Sequence, residues 1–121
     1  MIIAKTEILS NEVMNKCKSK GIEAYTLKNS KANCIAFCSN DRKRREFEVT
    51  FLKDAKFRIS TRFTGYEKVM INEGDRFFID NDPDGRRKRF NVNLDSAYAV
   101  NKLLIKMLDF GFSEDPETQY I

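Results

Sequence analysis

From Arg45 to Phe63 apolar and polar residues alternate. Phe47, Val49 and Phe51 take the odd positions, with Glu46, Glu48 and Thr50 between them. Beyond Lys53-Asp54-Ala55 the odd positions are again apolar at Phe57, Ile59 and Phe63, and Lys56, Arg58, Ser60 and Arg62 take the even ones. A period of two marks a strand with one face in the core and the other in water. A three-residue loop sets Phe51 against Phe57, Val49 against Ile59 and Glu46 against Arg62, so both faces agree at once. Residues 33–38 (NCIAFC) are apolar on both faces, which predicts a strand that is central or covered on both sides. Residues 23–27 (EAYTL) form the strand before it, and Asn29-Ser30-Lys31 the turn between them.

Helical spacing appears twice. Ser10 reads as an N-cap, with Leu9 and Met14 placed as a hydrophobic staple. Val13, Met14 and Cys17 then make a small apolar face, and Lys16, Lys18 and Lys20 lie near the C-terminal end, where the helix dipole favours cations. Gly21 is the stop, with Ile22 returning onto Cys17. Residues 2–9 read as a short strand or extended lead-in. Near the other end of the chain, Ala97, Val100, Leu104, Met107 and Leu108 share one face, with Leu103 beside it and Asn101, Lys102, Lys106 and Asp109 opposite. Asn93 or Asp95 supplies the cap and Gly111 the stop.

A hairpin precedes that helix. Asp84-Gly85 suits a type I′ turn, which needs positive φ at both central positions. Counting outward sets Ile79 against Phe90, Phe77 against Val92, Asp80 against Arg89 and Asp82 against Arg87. A type I turn led by Pro83 would slip the register by one and set Phe78 against Phe90. The first register pairs apolar with apolar and acid with base. Residues 66–72 read as one more strand, bounded by turns at Thr64-Gly65 and Glu73-Gly74.

These elements predict the class α+β: an antiparallel meander sheet of about six or seven strands, flanked by a short N-terminal helix and a longer C-terminal helix on its apolar face. Residues 1–112 are expected to form a single domain. Residues 113–121 (SEDPETQYI) read as an acidic, flexible tail. In outline, antiparallel strands followed by a helix, with a D-G hairpin before it, the chain resembles single-stranded-DNA-binding transcriptional coactivators.

Composition narrows the chemistry. Of the 121 residues 41% are hydrophobic and 33% charged, which suits a globular chain with a real core. Ten Phe and four Tyr without Trp predict an aromatic-rich sheet core. No apolar run approaches the ~20 residues of a membrane helix, and the start MIIAK lacks the pattern of a signal peptide. A cytoplasmic protein with no membrane partner is expected. The absence of histidine excludes Ser-His-Asp and Cys-His catalysis and imidazole-dependent zinc sites. Cys17, Cys34 and Cys38 are an odd set, read as small buried hydrophobes rather than disulfides or metal ligands. Asp54-Ala55-Lys56 matches the D-x-K fragment of metal-dependent nucleases, with Asp41 or Glu48 as imaginable partners, but a turn accounts for it. Neither a G-x-G-x-x-G nor a G-K-[ST] loop occurs. No catalytic residue, metal or cofactor is expected.

Charge supplies the functional expectation. The net charge is +4 and the pI about 9.0. Arg42, Lys43, Arg44 and Arg45 form one basic cluster, and Arg86, Arg87, Lys88 and Arg89 a second, with Arg58 and Arg62 in a stripe on a polar strand face. These ten residues are the expected contacts of a small basic regulator that binds DNA or RNA through its loop and hairpin tip. Asp80, Asp82, Asp84, Glu46 and Glu48 face them and offset part of the charge. The alternative is a protein-binding inhibitor or adaptor, such as a phage or mobile-element protein acting on a host protein. Its expected surface is Val69, Ile71 and Phe78, a face that would also serve a homodimer.

Overall fold

The structure is a computed structural model and describes residues 2–28, 33–40, 44–81, 85 and 87–110. Six strands form one antiparallel sheet: β1 (Ile22–Lys28), β2 (Asn33–Ser39), β3 (Arg44–Phe51), β4 (Phe57–Thr61), β5 (Phe77–Asn81) and β6 (Lys88–Leu94). Their order is β1-β2-β3-β4-β6-β5, so β6 lies between β4 and β5. The helices are α1 (Ile2–Ile8), α2 (Asn11–Ser19), α3 (Glu67–Met70) and α4 (Ala97–Phe110). The class is α+β, with the short N-terminal and long C-terminal helices that the patterning predicts.

Side-chain parity fixes the register. Val49 pairs with Ile59 and Phe51 with Phe57, as the two alternating runs require. In the hairpin, Phe77 pairs with Val92, Ile79 with Phe90 and Asp80 with Arg89, which is the first of the two registers. The slipped register would carry every inward side chain of β5 to the opposite face. Turn residues 29–31, Asp82, Asp84, Gly111 and the tail lie outside the described residues.

The core forms where the inward strand residues meet the helices. Ile35, Phe37, Phe47, Val49, Ile59, Phe90 and Val92 join Val100, Leu104 and Met107 of α4 and Val13 and Cys17 of α2 in one buried cluster. Each large apolar side chain removed from water contributes about 1.5–3 kcal/mol. Phe37 stacks on Phe47 with ring centroids 4.7 Å apart, and Tyr66 meets Phe47 edge-on at 5.2 Å. All six predicted stripe residues of α4 are buried. At the start of α2, the Ser10 hydroxyl accepts from the Val13 N–H at 3.3 Å. Gly21, at φ +68°, donates its N–H to the Lys18 carbonyl and ends that helix.

Three expectations are corrected. Residues 2–9 hold α1, not a strand. Ile8 is fully buried and Leu9 packs on the core, and these two with Lys5 follow helical spacing. Two isoleucines at the start favour a strand locally, but docking against α4 outweighs that propensity. Residues 66–72 are helical as well, built from a 3-10 turn, α3 and a second 3-10 stretch. Tyr66, Val69 and Met70 stand at i, i+3 and i+4, and Tyr66 and Met70 are buried. Finally, Ser96 rather than Asn93 or Asp95 caps α4, its hydroxyl accepting from the Ala99 N–H at 3.1 Å.

Candidate nucleic-acid interface

With odd residues of β3 and β4 in the core, the even ones emerge on the other side of the sheet. Thr50 pairs with Arg58 and Glu48 with Ser60. The ladder continues from β4 to β6 as Arg58 with Asn93 and Ser60 with Asn91, and from β6 to β5 as Asn91 with Phe78 and Arg89 with Asp80. The core cluster, and with it every helix contribution, lies on the opposite side. No described helix covers this polar face.

Antiparallel pairing on both sides of β4 makes β3 and β6 run in the same direction. Their first residues therefore meet at one end of the sheet, beside the last residue of β4. Arg45, Arg62 and Arg89 come together there, lining one small cavity of about 10 Å³ with Glu46, Glu48, Ser60 and Thr61. That is room for about one water. A β-bulge shapes the corner: Phe37 pairs with Phe47 but Cys38 pairs with Arg45, leaving Glu46 as the extra residue of β3. Glu46 is 1% exposed, and its backbone carbonyl accepts from the Thr61 hydroxyl at 2.6 Å.

Carboxylates and amides hold the guanidinium groups in place. Arg45 Nη1 donates to Glu48 Oε1 at 3.0 Å. Arg89 grips Asp80 with two bonds, Nε to Oδ1 at 2.9 Å and Nη2 to Oδ2 at 2.8 Å. Asn91 is fully buried; its amide donates to Asp80 Oδ1 at 2.9 Å and its oxygen accepts from the Ser60 hydroxyl at 2.7 Å. Paired charges with both partners satisfied are shorter and stronger than neutral hydrogen bonds. The Arg89 contact, working against partial burial and assisted by Asn91, lowers the Asp80 carboxyl from its ordinary 3.8. Farther along β4, Arg58 donates Nε to Asn93 Oδ1 at 2.9 Å and lies over the Phe78 ring, 5.3 Å from its centroid.

Of the ten cations expected from the sequence, Arg45, Arg58, Arg62 and Arg89 are placed on this face. Arg87 and Lys88 are exposed at the same end of the sheet. Arg42, Lys43, Arg86 and the side chain of Arg44 lie outside the described residues. Val69, Ile71 and Phe78 are not gathered together: Val69 packs against the core, Ile71 is exposed, and Phe78 sits on the polar face under Arg58. Ser60, Asn91 and Asn93 were missed by charge-led reading. Their signal is the parity they share with Arg58 and Arg89, which becomes informative once β4 and β6 are known neighbours.

The cysteines behave as small apolar side chains. Burial pushes the Cys17 thiol up to about 11 and raises Cys34 and Cys38 as well. Among the described residues, no group of three or more Cys, Asp and Glu could hold a metal ion. No described helix is long and apolar enough to cross a membrane. No family model, curated protein or solved structure matches the chain.

Proposed function

We propose that this chain is a small, non-enzymatic, cytoplasmic regulator that binds nucleic acid through its basic loop and hairpin tip, together with the sheet face that no described helix covers. One observation carries the reading. Arg45 and Arg89, from basic runs distant in sequence, meet at one end of the sheet, where they share a cavity wall with Arg62. Clustered guanidinium groups on an open surface match a chain of phosphates, with contacts to the backbone dominating and weak sequence preference. Glu48 and Asp80 lower the net field and orient the Arg45 and Arg89 guanidinium groups, so the salt dependence is shallower than a count of arginines implies.

The test is fluorescence anisotropy with short single- and double-stranded DNA and RNA between about 50 and 200 mM salt. Log affinity is expected to fall linearly with log salt. Arg62→Ala and Lys88→Ala are each expected to weaken binding across sequences and to reduce the slope by about one. Absence of binding to any of the four ligands at the lowest salt overturns the reading.

A second reading, a protein-binding inhibitor or adaptor, draws on the margin of β5. Ile79 on that edge strand is 47% exposed, and Ile71 of the preceding 3-10 stretch 52%. An exposed strand edge beside apolar side chains accepts an added strand. Capture of a partner by the native chain but not by Ile79→Lys would support it, and equal capture by both would remove it.

A further inference from the structure

We infer that Phe78, Arg58 and Asn93 form a nucleobase-stacking step on this face, so that its ligand is a single strand with unpaired bases. The inference rests on the nucleic-acid reading and goes beyond it by naming which form of nucleic acid is bound. Arg45 and Arg89 are paired with the Glu48 and Asp80 carboxylates at 3.0 and 2.8 Å; Arg58 lies over the Phe78 ring at 5.3 Å and donates to Asn93 at 2.9 Å. A guanidinium engaged by both a ring and an amide is planar and cationic, and the two contacts restrict its position. A nucleobase can lie on such a plane, extending the aromatic-cation stack by one layer. Asn93 is exposed, and its oxygen is engaged by Arg58, which leaves its amide N–H groups as the donors a base can use.

Position favours the same conclusion. Arg58 and Arg62 belong to one run of chain, and Arg58 and Phe78 are separated across the sheet by β6 alone. A strand whose phosphates meet Arg45, Arg62 and Arg89 can therefore turn its bases toward Arg58. In a duplex the bases stack on one another and have no free face to offer. Stacking of this kind tolerates any base, since each has a π-face.

The test separates bases from phosphates. A ten-nucleotide thymidine strand and an abasic strand of equal length are titrated into the native chain, Phe78→Leu and Arg58→Lys, all at low salt. The native chain is expected to bind the base-bearing strand about tenfold tighter than the abasic one. Phe78→Leu is expected to lose most of that preference while keeping its affinity for the abasic strand, which also reports an intact fold. Arg58→Lys keeps the charge and is expected to lose the preference too, because an ammonium offers no plane. Equal binding of both strands by the native chain, or an undiminished preference in Phe78→Leu, overturns the stacking step and leaves the phosphate reading standing. No binding of either strand overturns both.

Discussion

Asp54 and Ala55, at the tip of the β3–β4 loop, hold φ of 61° and 56°. Aspartate tolerates this left-handed conformation, since its side chain bonds to the nearby backbone. Alanine does not, and the crowding of its Cβ costs about 1–2 kcal/mol. Ala55→Gly removes the strain and restores some freedom to the unfolded chain, so a net gain of about 0.5–1 kcal/mol is expected. A raised urea midpoint at unchanged slope is the measurement; a lowered midpoint contradicts the strain argument. Asp80 gives a prediction in pH. Its carboxyl is held below 3.8 in the folded chain, chiefly by Arg89. A depressed folded value means that ionised Asp80 stabilises the fold above the unfolded value, and that the contribution is lost as pH falls through the folded value. The stability deficit of Asp80→Asn relative to the native chain is therefore expected to be constant above about pH 5 and to shrink below it. Urea titrations of both proteins at a series of pH values check this, and a deficit that grows on acidification would refute it.

At the scale of elements, one side chain joins three helices. Asn101 of α4 donates its amide toward the Glu7 and Ile8 carbonyls, at 3.3 and 3.0 Å, and toward the Ser10 hydroxyl at 2.9 Å. It thus caps the end of α1 and braces the residue that caps α2. These carbonyls have no partner within their own helix, so Asn101 supplies what the helix end lacks. Asn101→Ala is expected to cost about 1–2 kcal/mol. Amide hydrogen exchange should locate the loss, with protection falling in α1 well before the central strands. Uniform loss across the sheet would contradict the bracing role. The segment after β4 matters in a different way. Because residues 66–72 coil into helical turns, no strand forms there to pair with β4, and β6 takes that place. Arg62, just past the end of β4, meets Arg89 of β6 for this reason.

At the scale of the molecule, sheet and helices share one buried cluster, so neither is expected to survive loss of the other. Leu104 of α4 is fully buried within it. Leu104→Ala is expected to destabilise by about 3 kcal/mol. Tyrosine fluorescence and far-UV circular dichroism should follow one coincident transition in urea, for the native chain and the variant alike. Separate transitions would show that helices and sheet fold independently. The polar face stands apart from this cluster, which lets Arg58, Arg62 and Phe78 be altered with little effect on the core.

Local pattern was enough for much of this molecule. Alternation in residues 45–63 dictates two half-buried strands and their register, because a slip of one residue would move every phenylalanine into water. The α4 stripe, the Ser10 cap and the Gly21 stop follow equally from spacing and backbone chemistry. Asp80 opposite Arg89 follows from the turn. What spacing alone left open was decided by contacts between distant segments. Residues 2–8 are helical because the segment docks against α4 and buries Ile8. Tyr66, Val69 and Met70 fit a helix or a strand over so short a run, and burial chose the helix. From that choice came the strand order, and from the strand order the meeting of Arg45, Arg62 and Arg89. Hydrophobic period determines which face of an element is buried; which elements lie side by side depends on the total burial of the whole chain, and the candidate interface is a property of that second kind.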